Sequence, residues 1–206
     1  MNEVRVWFSK TDSAKYISHL DLMRYFTRAI RRAKLPVWNT EGFNPHPYIN
    51  FGLPMSLGFE GVCECFDIKI TEEMPLGDIK SELSKVMTDS IEIVEVTTPV
   101  QKTKFIAFAE YMITFDLRCK DLILEFLNQE SIIVSKKEKQ IDIKPDINKF
   151  SVSEDEKTIL KIILPSSPVK NINPLLLINA FCAKNGIPIP KIIRKMLLTE
   201  KLEKFR

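Results

Sequence analysis

The segment 19–34 constrains the fold most strongly, because its apolar and basic residues separate onto two sides of one helix. A helix turns by about 100° per residue, which puts five apolar residues on one arc: Leu22, Phe26, Ala29, Ile30 and Ala33. The opposite arc carries four arginines: Arg24, Arg28, Arg31 and Arg32. Ser18 and Asp21 predict a capped start, and Pro36 forbids continuation. We therefore expect one face in a core and the other in solvent.

Strand patterns surround this helix in the first half of the chain. Val4, Val6 and Phe8 alternate with Arg5 and Trp7, which is the two-residue period of a half-buried strand. Further strands are predicted over residues 37–40, 48–53, 64–70 and 91–96, and a second helix begins at Pro75. The order β-α-β-β-α-β, with an elaborated loop inside it, predicts a ferredoxin-like domain over residues 1–99.

The second half repeats this order in structure, although not in sequence. After a linker at 100–104, strands are predicted over 111–117, 132–134, 141–143, 159–164 and 188–198, with helices over 121–128 and 174–184. A second ferredoxin-like domain is therefore predicted over residues 105–206. The whole chain is predicted to be α+β, with two tandem ferredoxin-like (βαββαβ) halves and antiparallel sheets.

Positive charge is concentrated in two segments. The formal net charge of the 206 residues is only +3, but 18–34 holds five cations and one acid, and 184–206 holds seven cations and two acids. Four arginines on one helical face suit phosphate oxygens, and few acids are interleaved with them. A nucleic-acid-binding face is one interpretation. A solvated face, or one that pairs with acids of the second half, is the other.

The loop at 41–47, EGFNPHP, is the second candidate binding element. Two prolines and Gly42 restrict and bend its backbone, which holds a binding loop ready at low entropic cost. Asn44 and His46 could contact a base, and Phe43 and Tyr48 could stack on unpaired bases. A proline-rich turn with a surface histidine explains the same residues equally well.

Catalytic candidates are few. His46 is the candidate general base, with His19 or Glu41 assisting, whereas Asp21 is explained more simply as a helix-capping residue. No Walker loop, dinucleotide fingerprint, HExxH, GxSxG or CxxxCxxC motif occurs, so we expect no metal site and no cofactor.

The four cysteines have neither CxxC nor zinc-ribbon spacing. Cys63 and Cys65 are two apart, on the same face of a strand, so buried thiols are expected in a reducing compartment. The N-terminus lacks the pattern of a signal peptide, and no apolar run is long enough to span a bilayer. A cytoplasmic protein without membrane insertion is therefore expected.

Three motifs resemble the radical SAM-linked protein family, a bacterial domain of unknown function. They are the helix motif ISHLDLMR with the arginines that follow it, the loop GFNPHP, and a PxxLG segment at 54–58. Matching positions are Ser18, His19, Asp21, Arg24, Arg28, Arg31, Arg32, Glu41, Gly42, Asn44, Pro45, His46 and Pro47. The resemblance covers about the first third of the chain closely. Cys63 and Cys65 fall outside the family pattern.

The resemblance implies a partnership with a radical SAM enzyme, because members are encoded beside or fused to one, often near ribosomal and RNA-processing genes. We therefore expect an RNA-binding or substrate-presenting accessory protein, with tRNA or rRNA as its RNA. Two other hypotheses remain: an RNA-cleaving or RNA-modifying enzyme that uses His46, and a protein-interaction module that docks on the radical SAM partner.

Overall fold

The computed structural model describes residues 1–136, 139–147 and 149–206, and the chain divides into two units. The first unit contains Met1–Phe105 together with Phe205–Arg206, and the second contains Ile106–Lys204. The segment 100–104 and the last two residues thus both group with the first unit.

The first unit contains two helices and four strands. They are β1 (Asn2–Lys10), α1 (His19–Arg32), β2 (Ile49–Phe51), β3 (Glu60–Ile70), α2 (Leu76–Ser84) and β4 (Ile91–Thr97). β1 pairs antiparallel with both β3 and β4, and β2 pairs antiparallel with β3. The strand order is therefore β4-β1-β3-β2. Short 3-10 turns cover Asp12–Tyr16 and Thr103–Phe105.

Phenylalanine side chains fasten α1 to this sheet. Phe26 is completely buried, with ring centroids 4.8 Å from Phe8 of β1 and 4.6 Å from Phe66 of β3. Phe51 of β2 completes the cluster at 5.5 Å from Phe66. The predicted apolar arc of the helix is confirmed, since all five of its members are buried.

Residues 37–40, predicted as a strand, form only isolated bridges, so that prediction is wrong. Val37 pairs with Ile70 of β3, whereas Asn39 pairs with Pro47. The segment changes its partner between these two residues, so no run of consecutive pairs can form. Alternation in the sequence reports which side chains are buried, but not which backbone segment lies alongside.

The second unit contains two helices and six strands in its described part. They are β5 (Phe108–Phe115), α3 (Lys120–Leu127), β6 (Ile133–Lys136), β7 (Lys139–Asp142), β8 (Lys149–Glu154), β9 (Thr158–Pro165), α4 (Pro174–Asn185) and β10 (Lys191–Leu198). Their antiparallel order is β10-β5-β9-β8, and β6 and β7 form a separate antiparallel pair. α4 ends at Gly186, whose φ of +64° favours glycine. The predicted α+β class is confirmed, with four helices in the described residues.

A buried ion pair joins β1 and β3 in the first unit. Arg5 Nε and NH2 donate to the two carboxylate oxygens of Asp67 at 2.7 and 2.8 Å, and NH2 also donates to the carbonyl of Gln101 at 2.8 Å. The Arg5 guanidinium lies 4.4 Å from the ring centroid of Phe205. Arg5 and Asp67 are almost completely buried, and Arg5 NH1 has no hydrogen-bond partner among the described residues. Asp67 is therefore essential to neutralise a charge that water cannot reach.

We expect Asp67→Asn to lower the free energy of unfolding by about 3–5 kcal/mol, because Arg5 stays buried without its counter-charge. Urea unfolding measures this loss. Asp89→Asn is the control: Asp89 is exposed, and its replacement should change stability by no more than about 0.5 kcal/mol. The double variant Arg5→Met/Asp67→Leu removes both charges and should lose less than Asp67→Asn alone. Equal stability of Asp67→Asn and the control would contradict the prediction.

Candidate nucleic-acid interface

The start of α1 sets the rotational phase of the arginines. Ser18 Oγ accepts a hydrogen bond from the backbone N–H of Asp21 at 3.1 Å, and the Ser18 hydroxyl donates to Asp21 Oδ2 at 2.7 Å. This confirms the predicted capped start. Because the cap fixes the first turn and Phe26 fixes the buried side, the opposite arc must face solvent.

The four arginines of α1 are all exposed, but the protein binds them differently. Arg24 NH1 pairs with Asp21 Oδ1 at 3.1 Å. Arg31 NH2 donates to the carbonyl of Pro45 at 3.4 Å, and Arg32 NH2 donates to the carbonyl of Val86 at 2.9 Å. Across the described part of the chain, the Arg28 side chain has neither a hydrogen bond nor an ion pair. Arg28 is therefore the most available cation of this face.

Asp21 is the one acid in α1, and it stays ionised beside the arginines. The hydrogen bond from Ser18, and then that from Arg24, holds the pKa of Asp21 below its usual value. The carboxylate offsets part of the charge of Arg24 and, more weakly, of Arg28, so the arc keeps a net positive charge of four guanidiniums against one carboxylate. An arginine has five N–H donors, so Arg31 and Arg32 can bind an anion while keeping their backbone contacts.

The EGFNPHP loop closes a narrow hairpin. Thr40 N donates to the carbonyl of His46 at 2.8 Å, and Tyr48 N donates to the carbonyl of Trp38 at 2.9 Å. Gly42 has a φ of +118°, a conformation that side chains rarely allow. Glu41, Asn44 and His46 are exposed, and Phe43 is fully exposed. Arg31 connects this loop to the helix through Pro45.

The loop places Nδ1 of the His46 ring against two oxygen atoms. Its Nδ1 lies 3.0 Å from the carbonyl oxygen of Asn44 and 3.1 Å from Thr40 Oγ1. A carbonyl can only accept a hydrogen bond, so the tautomer that satisfies the Asn44 contact carries its proton on Nδ1. Nε2 then keeps its lone pair, which is the atom that a general base would use.

His19 lies in different surroundings. Its half-buried ring is 5.1 Å from Phe51, edge to face. Burial, and then the positive charge of Lys10, lowers the pKa of His19. Within the ranges that the structure describes, no hydrogen bond or ion pair joins His46 to His19 or Glu41. The structure therefore does not bring the three catalytic candidates together by direct contact.

None of the four cysteines, all of which lie in the described residues, is in a disulfide. Cys65, Cys119 and Cys182 are buried, and Cys63 is half-buried. Burial raises the pKa of Cys119 and of Cys182, which favours their protonated form. In the described residues, no three His, Cys, Asp or Glu side chains are grouped so that they could hold a metal ion. None of the described helices is long and apolar enough to cross a membrane.

Sequence reasoning missed the partners of Tyr48. Its ring centroid lies 5.7 Å from that of Trp38, and Lys69 Nζ lies 4.8 Å from the Tyr48 centroid and 5.3 Å from the Trp38 centroid. Trp38 lies three residues before the loop at 41–47 and Tyr48 lies one residue after it, so an aromatic residue on either side of the loop was the available signal. Lys69 gave none, because its contact with them depends on how β3 lies beside the hairpin.

We expect His19 to titrate below the usual histidine value of about 6.5. Above that pH the residue is neutral in both the folded and the unfolded chain, so it adds no pH dependence to the free energy of unfolding. As the pH falls through about 6.5, the unfolded chain takes up the proton first, and the free energy of unfolding decreases. Proton NMR measures the titration, and His46→Gln assigns the second of the two histidines. His19→Phe should remove the part of the loss of stability at low pH that comes from His19. A measured His19 pKa of 6.5 or more would contradict the prediction.

Comparison with known proteins gives a family but no reaction. A search of curated proteins found no match. A family model described as an uncharacterized protein conserved in bacteria, DUF2344, matches residues 3–174, which is most of the chain. That description names no activity and no partner, so the partnership with a radical SAM enzyme stays a prediction. The chain belongs to the DUF2344 family of bacterial proteins.

Proposed function

We propose that this protein is an RNA-binding or substrate-presenting accessory protein that works with a radical SAM enzyme in RNA modification or processing. The supporting observation is the exposed arginine arc of α1, in which the Arg28 side chain makes no hydrogen bond or ion pair with the described residues. Guanidinium groups bind phosphate oxygens through paired hydrogen bonds, and phosphate contacts supply most of the affinity of nucleic-acid binding. The fixed loop beside Arg31 adds exposed groups that can contact a base.

The strand orders support a finer interpretation of the fold. The order in the first unit is β4-β1-β3-β2, and the order in the second unit, without the separate β6–β7 pair, is β10-β5-β9-β8. In both units the last strand lies beside the first, the first beside the third, and the third beside the second. We infer two tandem ferredoxin-like halves from this shared order. Such folds serve many functions, so the RNA assignment rests on the arginine face.

The partner is proposed from the resemblance of the helix and loop motifs to radical SAM-linked proteins. In this proposal the enzyme supplies the chemistry, and the accessory chain holds the RNA with its arginine face. Docking of that face on an acidic surface of the enzyme is the competing use of the same charges.

His46 supports a second candidate function, that of an RNA-cleaving or RNA-modifying enzyme. Its ring is exposed, and Nδ1 lies against the Asn44 carbonyl, which leaves Nε2 on the other side of the ring for a substrate. A general base needs such an atom within reach of the substrate proton.

We expect Arg28→Gln to weaken RNA binding and to make it less dependent on salt. Loss of one phosphate contact should reduce the slope of log affinity against log salt by about 0.7–0.9. Fluorescence anisotropy with unmodified tRNA and rRNA fragments measures both quantities. Arg118→Gln is the matched control, because Arg118 is exposed, lies in the second unit and changes the net charge equally.

The outcomes separate the two uses of the arginine face. Identical RNA affinities and slopes for Arg28→Gln, Arg118→Gln and the unmodified protein would contradict the RNA proposal. Loss of binding to the radical SAM enzyme alone would assign the face to protein docking.

If the protein is itself an enzyme, His46→Ala should abolish RNA turnover while RNA affinity stays within about twofold, because a general base acts on the reaction and adds little to binding. Single-turnover assays on the same RNAs measure the rate. Thr40→Val is the companion variant: it removes one hydrogen bond to the ring and should slow the reaction less. Unchanged turnover in His46→Ala would exclude this role.

A further inference from the structure

Trp38, Tyr48 and Lys69 form a row on the sheet face opposite α1. Their sequence neighbours Val37, Ile49, Ile68 and Ile70 belong to the core or pack against it, and they pair across the strands as Val37–Ile70 and Ile49–Ile68. Successive side chains in extended backbone point to opposite faces, so the row lies on the other side. All three side chains are half-buried.

Backbone hydrogen bonds hold this row in place. Trp38 N donates to the carbonyl of Lys69 at 2.8 Å, and Tyr48 N donates to the carbonyl of Trp38 at 2.9 Å. The three residues come from separate segments, and each is fixed next to another by one of these bonds. A rigid aromatic pair needs little ordering when a flat ligand stacks on it.

The position of the Lys69 ammonium points to the chemistry of the ligand. Glu3 lies directly opposite Lys69 in the β1–β3 register, yet the described residues contain no ion pair between them. The ammonium lies instead over the two rings, at 4.8 and 5.3 Å from their centroids. The site thus offers two aromatic rings and one positive charge, a combination that suits the base and the phosphate of a nucleotide.

We propose that the ring of Trp38 stacks with an unpaired base of RNA, that the ring of Tyr48, inclined at 55° to it, contacts the edge of the same base, and that Lys69 pairs with its phosphate. Stacking of a base on an aromatic ring contributes more binding free energy than an exposed cation–π contact, so the base displaces the Lys69 ammonium from the rings. The flexible side chain of Lys69 then lets the ammonium reach the phosphate. A paired base is covered by its neighbours and cannot offer its face. This inference rests on the proposed RNA-binding function and specifies its substrate class as RNA with single-stranded residues.

Fluorine NMR of protein labelled with fluorotryptophan tests the proposal, because the chain has two tryptophans. Trp7 is the internal control: it lies on β1, its Nε1 donates to Thr97 Oγ1 at 3.1 Å, and its ring contacts Phe205. Trp7→Phe assigns the two resonances. Short single-stranded oligouridine should shift the Trp38 resonance and leave the Trp7 resonance in place, and duplex RNA should shift neither.

Variants give an independent measure. Trp38→Ala should weaken oligouridine binding by about tenfold with an unchanged salt slope, whereas Trp38→Phe should lose less because a ring remains. Lys69→Gln should reduce the slope of log affinity against log salt by about 0.7, which is the change expected when one phosphate contact with a single strand is lost. Thermal unfolding of each variant identifies any loss that comes from misfolding, and Trp38→Phe keeps the test valid if Trp38→Ala does not fold.

The outcomes distinguish this inference from the function on which it rests. RNA binding that depends on Arg28, with no shift of the Trp38 resonance and no effect of Trp38→Phe or Lys69→Gln, would overturn the stacking site and leave the proposed function intact. Failure of every RNA to bind would overturn both. A Trp38 shift caused only by the radical SAM enzyme would make the row a protein contact and overturn the nucleotide assignment.

Discussion

The packing of Phe26 against Phe8 and Phe66 is the contact on which the first unit depends. Burying a phenylalanine contributes about 1.5–3 kcal/mol to stability, and the preferred edge-to-face geometry with Phe8 also restricts how the Phe26 ring can be oriented. Once this ring is seated, α1 can present only one arc to water. The exposure of the arginines is therefore a consequence of core packing and needs no further interaction to maintain it.

A different kind of constraint operates on the other face of the same sheet. Arg5 and Asp67 are charged and buried, so they stabilise the unit less than apolar residues of the same size would. The ion pair instead selects one register of β1 with β3. Only in that register do Asp67, the Gln101 carbonyl and the ring of Phe205 all surround the Arg5 guanidinium. Any other register leaves a charge without a partner.

The two proposed RNA contacts lie on opposite faces of the sheet of the first unit, and the hairpin around the EGFNPHP loop joins them. Trp38 and Tyr48 form the base of this hairpin, and Pro45 near its tip contacts Arg31 of α1. An RNA that reached both surfaces would curve around this hairpin. Bent or looped single strands can do so at little cost, which agrees with a substrate that has unpaired residues.

The sequence by itself determined the helix of the arginine face, its cap, its exposed and buried arcs, the position of the EGFNPHP loop and the α+β class. These features depend on residues three or four apart in a helix or two apart in a strand, and such spacings can be read directly from the chain. Only the tertiary structure decided that Arg31 and Arg32 contact the Pro45 and Val86 carbonyls, that 37–40 is not a strand, that Arg5 pairs with Asp67, and that Lys69 lies over Trp38 and Tyr48. The partners of Arg31, Arg32 and Arg5 lie 14, 54 and 62 positions away along the chain. They depend on which helices, strands and loops lie side by side, and local periodicity carries no information about that choice.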